Sequence, residues 1–332
     1  MKLETVDKPQ AGKGEIVIRV RCCTICGSDI RRFYAPPADL RFPIIMGHEY
    51  AGEIVEVGAD VTGLRVGMRV TAPDDAPCSQ CHYCMEGLEK FCAKESQLIG
   101  IDIPGAYAEY LRVPRNIIKL LKVLPDRISY EAASQCEPLA CAINGIEMSR
   151  VRLGDTVVVL GAGPIGLLLI QLAKLAGASS VVACDILQHR VENAKGLGAD
   201  ISLNVEQDDV VRVVRDLTDD IGAAAVINTA VDDSTNALAF KLVKKSGVVN
   251  LFGGTPPETE ITLSANHLHY SEINLTGSYG WTSKMYSQAF SLITSGRIRP
   301  ETLISHKFSI ENGLEAWNLA IERKGIKVAI LN

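Results

Sequence analysis

The chain has 332 residues, 47% of them hydrophobic and 22% charged, with 34 Lys and Arg against 39 Asp and Glu for a net charge of -5. That much apolar material excludes a disordered or collagen-like chain, and the length favours two domains. The mild acidity, without a run of like charge, argues against a nucleic acid partner, which needs a clustered basic face.

The opening residues mix both charge signs and hold no apolar stretch, so they do not read as a secretory leader, and the expected location is cytoplasmic. Up to about residue 120, short alternating runs broken by Gly and Pro predict strands over Glu15 to Arg21, Tyr50 to Val57 and Met68 to Thr71. From 139 to 277 the pattern becomes apolar strand, glycine turn, amphipathic helix. Strands are expected at Thr156 to Leu160, Ser180 to Cys184, Ala224 to Thr229 and Val248 to Phe252, with a helix over Gln188 to Gly196. This alternation predicts an α/β domain with a doubly wound parallel sheet. The stretch from Thr156 to Ala173 carries no charge and reaches the length of a membrane span, but its internal Gly and Pro residues fit a strand turning into a packed helix better. No membrane partner is expected. After Gly277 come a helix over Lys284 to Ser295, Pro300 and a last apolar run, Lys327 to Leu331.

Gly161-Ala-Gly163-Pro164-Ile165-Gly166 follows one of these strands and opens a helix, as in a dinucleotide-binding turn. Gly161 allows the tight turn, Gly163 the approach of a pyrophosphate, and Gly166 close packing of helix on strand, while the helix N-terminus offers N-H groups to the phosphates. Alone, the motif equally fits an ordinary glycine turn. The second strand ends at Asp185, as far beyond Gly166 as the fingerprint places its acidic residue, where a carboxylate can accept both adenosine ribose hydroxyls and repel a 2'-phosphate. NAD is therefore expected over NADP. Asp185 also reads as an N-cap for the next helix, and Arg190 either lies near the adenosine or belongs to a solvated face.

Ten cysteines in a chain without a leader point to metal rather than disulfides. Cys78, Cys81, Cys84 and Cys92 crowd four thiols into one short loop, enough to close a tetrahedral shell around a structural zinc, with an iron-sulfur cluster as the alternative. Cys26 in Cys-Gly-Ser-Asp, His48 and Glu49 in Gly-His-Glu, and Glu137 in Glu-Pro-Leu are too far apart for spacing to unite them. Singly, Cys26, His48 and Glu137 read as a core thiol, a core histidine and a helix-initiating carboxylate.

Taken together and in this order, these motifs resemble the zinc-containing medium-chain dehydrogenases over nearly the whole chain. The resemblance implies a Rossmann domain at 139-277 inserted into a mostly β, chaperonin-10-like partly open barrel domain formed by 1-138 and 278-332, with the active site in the cleft between them. It implies a catalytic zinc on Cys26, His48 and Glu137, Glu49 beside it, and Ser28 handling the proton. It further implies NAD, two zinc ions per subunit, and a homodimer or homotetramer. Thr229, Phe252, Ser278 and Tyr279, each after a predicted strand, are further cofactor candidates.

The Glu-Pro-Leu form resembles the polyol, sugar and threonine branch. The expected reaction is therefore oxidation of a secondary hydroxyl of a polyol, sugar or (amino)cyclitol, with L-threonine or a simple secondary alcohol as alternatives. A zinc-free NADPH-linked reductase and a non-catalytic dinucleotide-binding protein are the rivals. The chain looks short at its start relative to this family. Arg31 stands where many members carry a relay histidine, and an arginine cannot exchange protons near neutral pH. Arg31, Arg32 and Arg41 would suit a hydroxyl-rich or phosphorylated substrate.

Overall fold

β-branched residues crowd the strands because their stiff side chains pack well on a pleated surface. The computed structural model of the protein describes residues 1-36, 40, 42-94, 97-230 and 232-332, and Arg41 lies outside them. The chain divides into two compact units, one of residues 1-140 with 281-332, the other of 141-280.

The first unit opens with β1 (Ile16–Thr24), β2 (Glu49–Val57), β3 (Arg69–Thr71), β4 (Tyr110–Val113) and β5 (Lys122–Val123). The second contributes β6 (Thr156–Leu160), β7 (Ser180–Asp185), β8 (Ile201–Asn204), β9 (Ala223–Asn228), β10 (Val243–Leu251) and β11 (Asn274–Gly277). The chain then returns to the first unit with β12 (Ile304–Ser309) and β13 (Lys327–Leu331).

In the first unit the order is β12-β13-β1-β2-β3-β5, with β4 also on β1. Among the described residues of this unit, β12 and β13 pair in parallel and the other strand ladders are antiparallel. Ile16, Ile18, Val20, Ile54, Leu111 and Val113 belong to its buried core, each side chain contributing ~1.5–3 kcal/mol by leaving water. The register pairs Thr24 with Glu49 at one end of β1 and β2, and Ala51 with Thr71 between β2 and β3. These two pairings position the metal-site residues.

The second unit is a wholly parallel sheet in the order β11-β10-β9-β6-β7-β8, the doubly wound arrangement of dinucleotide-binding domains. Val158, Leu160, Val182, Val226 and Val249 form part of its core. The uncharged stretch from Thr156 splits into β6 and the helix Pro164–Leu175, and no helix among the described residues is long and apolar enough to cross a membrane. Strand β6 and the helix Gln188–Gly196 match their expected limits, while β10 begins earlier than expected, at Val243. An irregularity between Val243 and Val248, with Ser246 at φ 59°, carries that strand through a polar stretch which breaks the apolar pattern.

Candidate metal and cofactor sites

The four-cysteine loop folds around two short helical turns, His82–Met85 and Glu89–Phe91. The Sγ atoms of Cys78, Cys81, Cys84 and Cys92 all lie within 4.8 Å of one another. Backbone N-H groups point at the sulfurs: Cys81 N lies 3.3 Å from Cys78 Sγ, and Cys78 N lies 3.4 Å from Cys92 Sγ. Such donors favour thiolate over thiol. The amides of Ala93 and Cys84 bring Cys81 down to about 6, and those of Gln80 and Cys81 lower Cys78. Cys84 is pushed up to about 12 by burial and by the neighbouring sulfurs, a crowding that a divalent ion relieves. The donor set fits a closed zinc shell.

The dispersed set is gathered by strand register. Thr24 pairs with Glu49, so Cys26, just past the end of that ladder, and His48, immediately before it, arrive at the same edge. Cys26 Sγ, a ring nitrogen of His48 and a carboxylate oxygen of Glu49 all lie within 4.8 Å of one another. Glu137 does not join that group. It stands half-buried at the start of the helix Cys136–Met148, and its charge acts on Lys327. Sulfur, imidazole and carboxylate in this number suit zinc with an open position.

Behind these donors stand residues that motif reading did not single out. Asp29, in the first turn of the helix Gly27–Tyr34, is fully buried. Its Oδ1 is 3.1 Å from His48 Nδ1, and its Oδ2 accepts from the Tyr107 hydroxyl at 2.7 Å. Burial raises the Asp29 carboxyl, but His48, Tyr107 and Arg32 outweigh it and hold it below the usual carboxylate range. Gly47 has φ +95°, and a Cβ there would sit 2.6 Å from the Tyr107 ring, so only glycine lets Tyr107 pack against the chain just before His48.

Glu49 is equally enclosed. Buried Lys327 donates to its Oε1 at 2.7 Å, and the Thr24 hydroxyl donates to Oε2 while accepting from Gln135 Nε2 at 2.7 Å. Burial pushes the Lys327 ammonium down, but Glu49, Cys26 and Glu137 raise it above its ordinary value. A lysine heading an otherwise apolar final strand was the available signal for this partner. Ser28 Oγ donates to Cys26 Sγ at 3.2 Å and accepts from Arg32 Nη1 at 3.3 Å.

In the second unit, Gly161 has φ +95°, and a Cβ there would meet the Thr229 hydroxyl at 2.3 Å. A Cβ on Gly166 would lie 1.9 Å from Gly161 O, while at Gly163 it meets nothing nearer than Arg190 Nη1 at 3.4 Å. The turn thus packs tightly at its first and third glycines and leaves the middle one open, as a pyrophosphate cradle requires. Pro164 and Ile165 begin the helix behind Gly163, its N-cap.

Asp185 ends β7, with Oδ2 accepting from Ala162 N at 2.8 Å and Oδ1 from Leu187 N at 2.9 Å. It is not an N-cap: Leu187 holds that position, because Asp185 turns back to clamp the glycine turn. Arg190 Nη1 lies 3.6 Å from the same carboxylate. Thr229 Oγ1 donates to Leu160 O at 2.9 Å and Gly161 O at 3.0 Å, bracing the turn. The Phe252 ring packs against Gly145, Ser278 exchanges hydrogen bonds with Asn250 at 2.8 and 3.0 Å, and Tyr279 is largely exposed with its carbonyl accepting from Asn144 at 3.1 Å.

Residues 12–125 match the model of the alcohol dehydrogenase GroES-like domain, and residues 164–295 that of the zinc-binding dehydrogenase domain. D-arabitol-phosphate dehydrogenase of Enterococcus avium is 33% identical over 97% of this chain and 91% of its own length. The chain belongs to the zinc-containing medium-chain dehydrogenases. L-threonine 3-dehydrogenase of Pyrococcus horikoshii is 32% identical over 97% of this chain and 91% of its own. A crystal structure from Sinorhizobium meliloti 1021, assigned as a zinc-binding dehydrogenase and bound to NADP, is 28% identical with a TM-score of 0.91, covering 98% of this chain and 94% of that one. This medium-chain dehydrogenase is thus a Rossmann unit inserted in a GroES-like one, and an oxidoreductase of alcohols that uses zinc and a nicotinamide dinucleotide.

Proposed function

We propose that this dehydrogenase oxidises a secondary hydroxyl of a polyol, sugar or (amino)cyclitol to a ketone, with NAD as hydride acceptor. The observation that carries this reading is the convergence of Cys26, His48 and Glu49 donors within 4.8 Å, next to Ser28. Cys26 and His48 would hold the catalytic zinc together with one carboxylate, Glu49 as the nearest, with Glu137 as its exchange partner. Zinc bound there supplies Lewis-acid polarisation of the substrate oxygen.

The chain's own groups do the rest. Ser28 Oγ relays the proton of the reacting hydroxyl, accepting it while passing its own on to the cofactor ribose hydroxyl and water, and Arg32 donates to that oxygen at 3.3 Å and holds it in place. Arg31 does not carry the proton onward, because a guanidinium keeps its charge at neutral pH. Asp185 spends one lone pair of Oδ2 on the glycine turn and one of Oδ1 on Leu187 N, and keeps the others for the adenosine ribose hydroxyls, with Arg190 alongside. Gly163 admits the pyrophosphate within the turn that Gly161 and Gly166 shape, and Thr229, Phe252, Ser278 and Tyr279 border the cofactor. The enzyme is expected to work as a homodimer or homotetramer, which sedimentation would check.

A screen of polyols, cyclitols, sugars, threonine and simple secondary alcohols, with NAD or NADP and absorbance of the reduced cofactor as readout, tests the reading. Turnover of threonine alone overturns the polyol assignment. In the same assay Asp185→Ala should cut the preference for NAD over NADP by about tenfold, ~1.4 kcal/mol. An unchanged preference removes Asp185 from cofactor choice.

A further inference from the structure

We infer that Asp74 is a specificity-determining residue that reads a second hydroxyl on the substrate, adjacent to the one being oxidised. This deepens the polyol reading and rests on it. The argument begins with register. Strands β2 and β3 are antiparallel with Ala51 opposite Thr71 where the ladder ends; His48 and Asp74 each lie three residues past that pair, close enough for the His48 charge to act on the Asp74 carboxyl. The extension is held in place: the Tyr50 hydroxyl donates to Pro73 O at 3.2 Å, and Ile99 N donates to Asp74 O at 3.0 Å. A carboxylate is thereby delivered to the flank of the metal-binding histidine from an element that carries no metal ligand.

That carboxylate is incomplete. Asp74 Oδ1 is buried and has no hydrogen-bond partner. The charged groups acting on it are His48, Asp75 and Arg32, and Arg32 is committed to Ser28 Oγ at 3.3 Å and lies 3.9 Å from Asp29 Oδ1. Burial raises the Asp74 carboxyl above its usual range, as expected for an acid with too few donors around it. A buried acceptor left empty is destabilising, and such groups in folded proteins have a reason to be there. Here the missing donor is one the substrate brings. When one hydroxyl of a vicinal diol is at the metal beside His48, its neighbour donates to Asp74 Oδ1. A simple alcohol leaves that oxygen unpaired, and sites built around a substrate hydroxyl reject analogues that lack it far more strongly than apolar pockets do.

The test compares 2,3-butanediol with 2-butanol, which differ by one hydroxyl, using zinc-loaded enzyme with NAD. The wild type should favour the diol by ~100-fold or more in kcat/KM, and Asp74→Leu should collapse that ratio to within about tenfold. Asp74→Asn keeps an acceptor oxygen and should retain an intermediate ratio, which guards against a leucine variant that folds poorly. A ratio unchanged in Asp74→Leu, whether both values fall together or neither does, overturns the inference while the polyol reading stands. A wild type that prefers 2-butanol, or that oxidises threonine but no diol, overturns the polyol reading and the inference with it.

Discussion

The two metal constellations of the first unit are built in opposite ways. The four-cysteine loop takes all its donors from one short segment, Cys78 to Cys92, and orients them with its own backbone amides. The Cys26, His48 and Glu49 group takes its donors from two strand ends and depends on residues drawn from all along the chain: Thr24, Asp29, Tyr107, Gln135 and Lys327. A local site is specified by spacing, whereas a dispersed site is specified by the packing that surrounds it. The two should therefore fail differently.

The largest separation is expected from His48→Ala, which should lower turnover by ~10^3-fold or more, about 4 kcal/mol of transition-state stabilisation. Metal analysis should then find one zinc per subunit instead of two, with the four-cysteine zinc retained. Loss of both ions would erase the distinction. Next comes Lys327→Met, which leaves Glu49 buried without its cation and should cost about 3 kcal/mol of stability, read by denaturant unfolding. No change would mean that Thr24 alone satisfies the carboxylate.

Tyr107→Phe removes only the hydroxyl that holds Asp29. It should speed zinc release to a chelator from the dispersed site by ~10–100-fold and leave release from the cysteine loop untouched. The smallest effect belongs to Lys94→Ala, which deletes an exposed hydrogen bond to Gln80 at 3.2 Å on the loop. Zinc retention there should change by no more than about twofold, because the four sulfurs need no outer support. A large loss would show that the loop also leans on its surroundings.

The same contrast explains what could be read before folding. Thr156–Leu160, Gln188–Gly196 and the glycine turn were legible because their periodicity and punctuation are local. So was the cysteine loop, whose spacing is its geometry. Glu137 was placed in the metal group through resemblance, while Glu49 is the carboxylate found with Cys26 and His48; adjacency to His48 says nothing about which acid turns inward. Tyr107 and Asp74 were invisible for a related reason. The Tyr107 hydroxyl meets Asp29, and the His48 charge acts on Asp74, across stretches of sequence that no short motif spans.

Strand β1 pairs on one side with β2 and on the other with β13, so the counter-charge for Glu49 is translated only after the second unit has been made. A nascent chain that already holds all of Cys26, His48 and Glu49 must wait through the whole Rossmann insertion before Lys327 emerges from the ribosome. Until then an acid destined for the interior has no lysine to accompany it. Completion of the sheet around Glu49 is thereby tied to completion of the second unit, because β13 is made last.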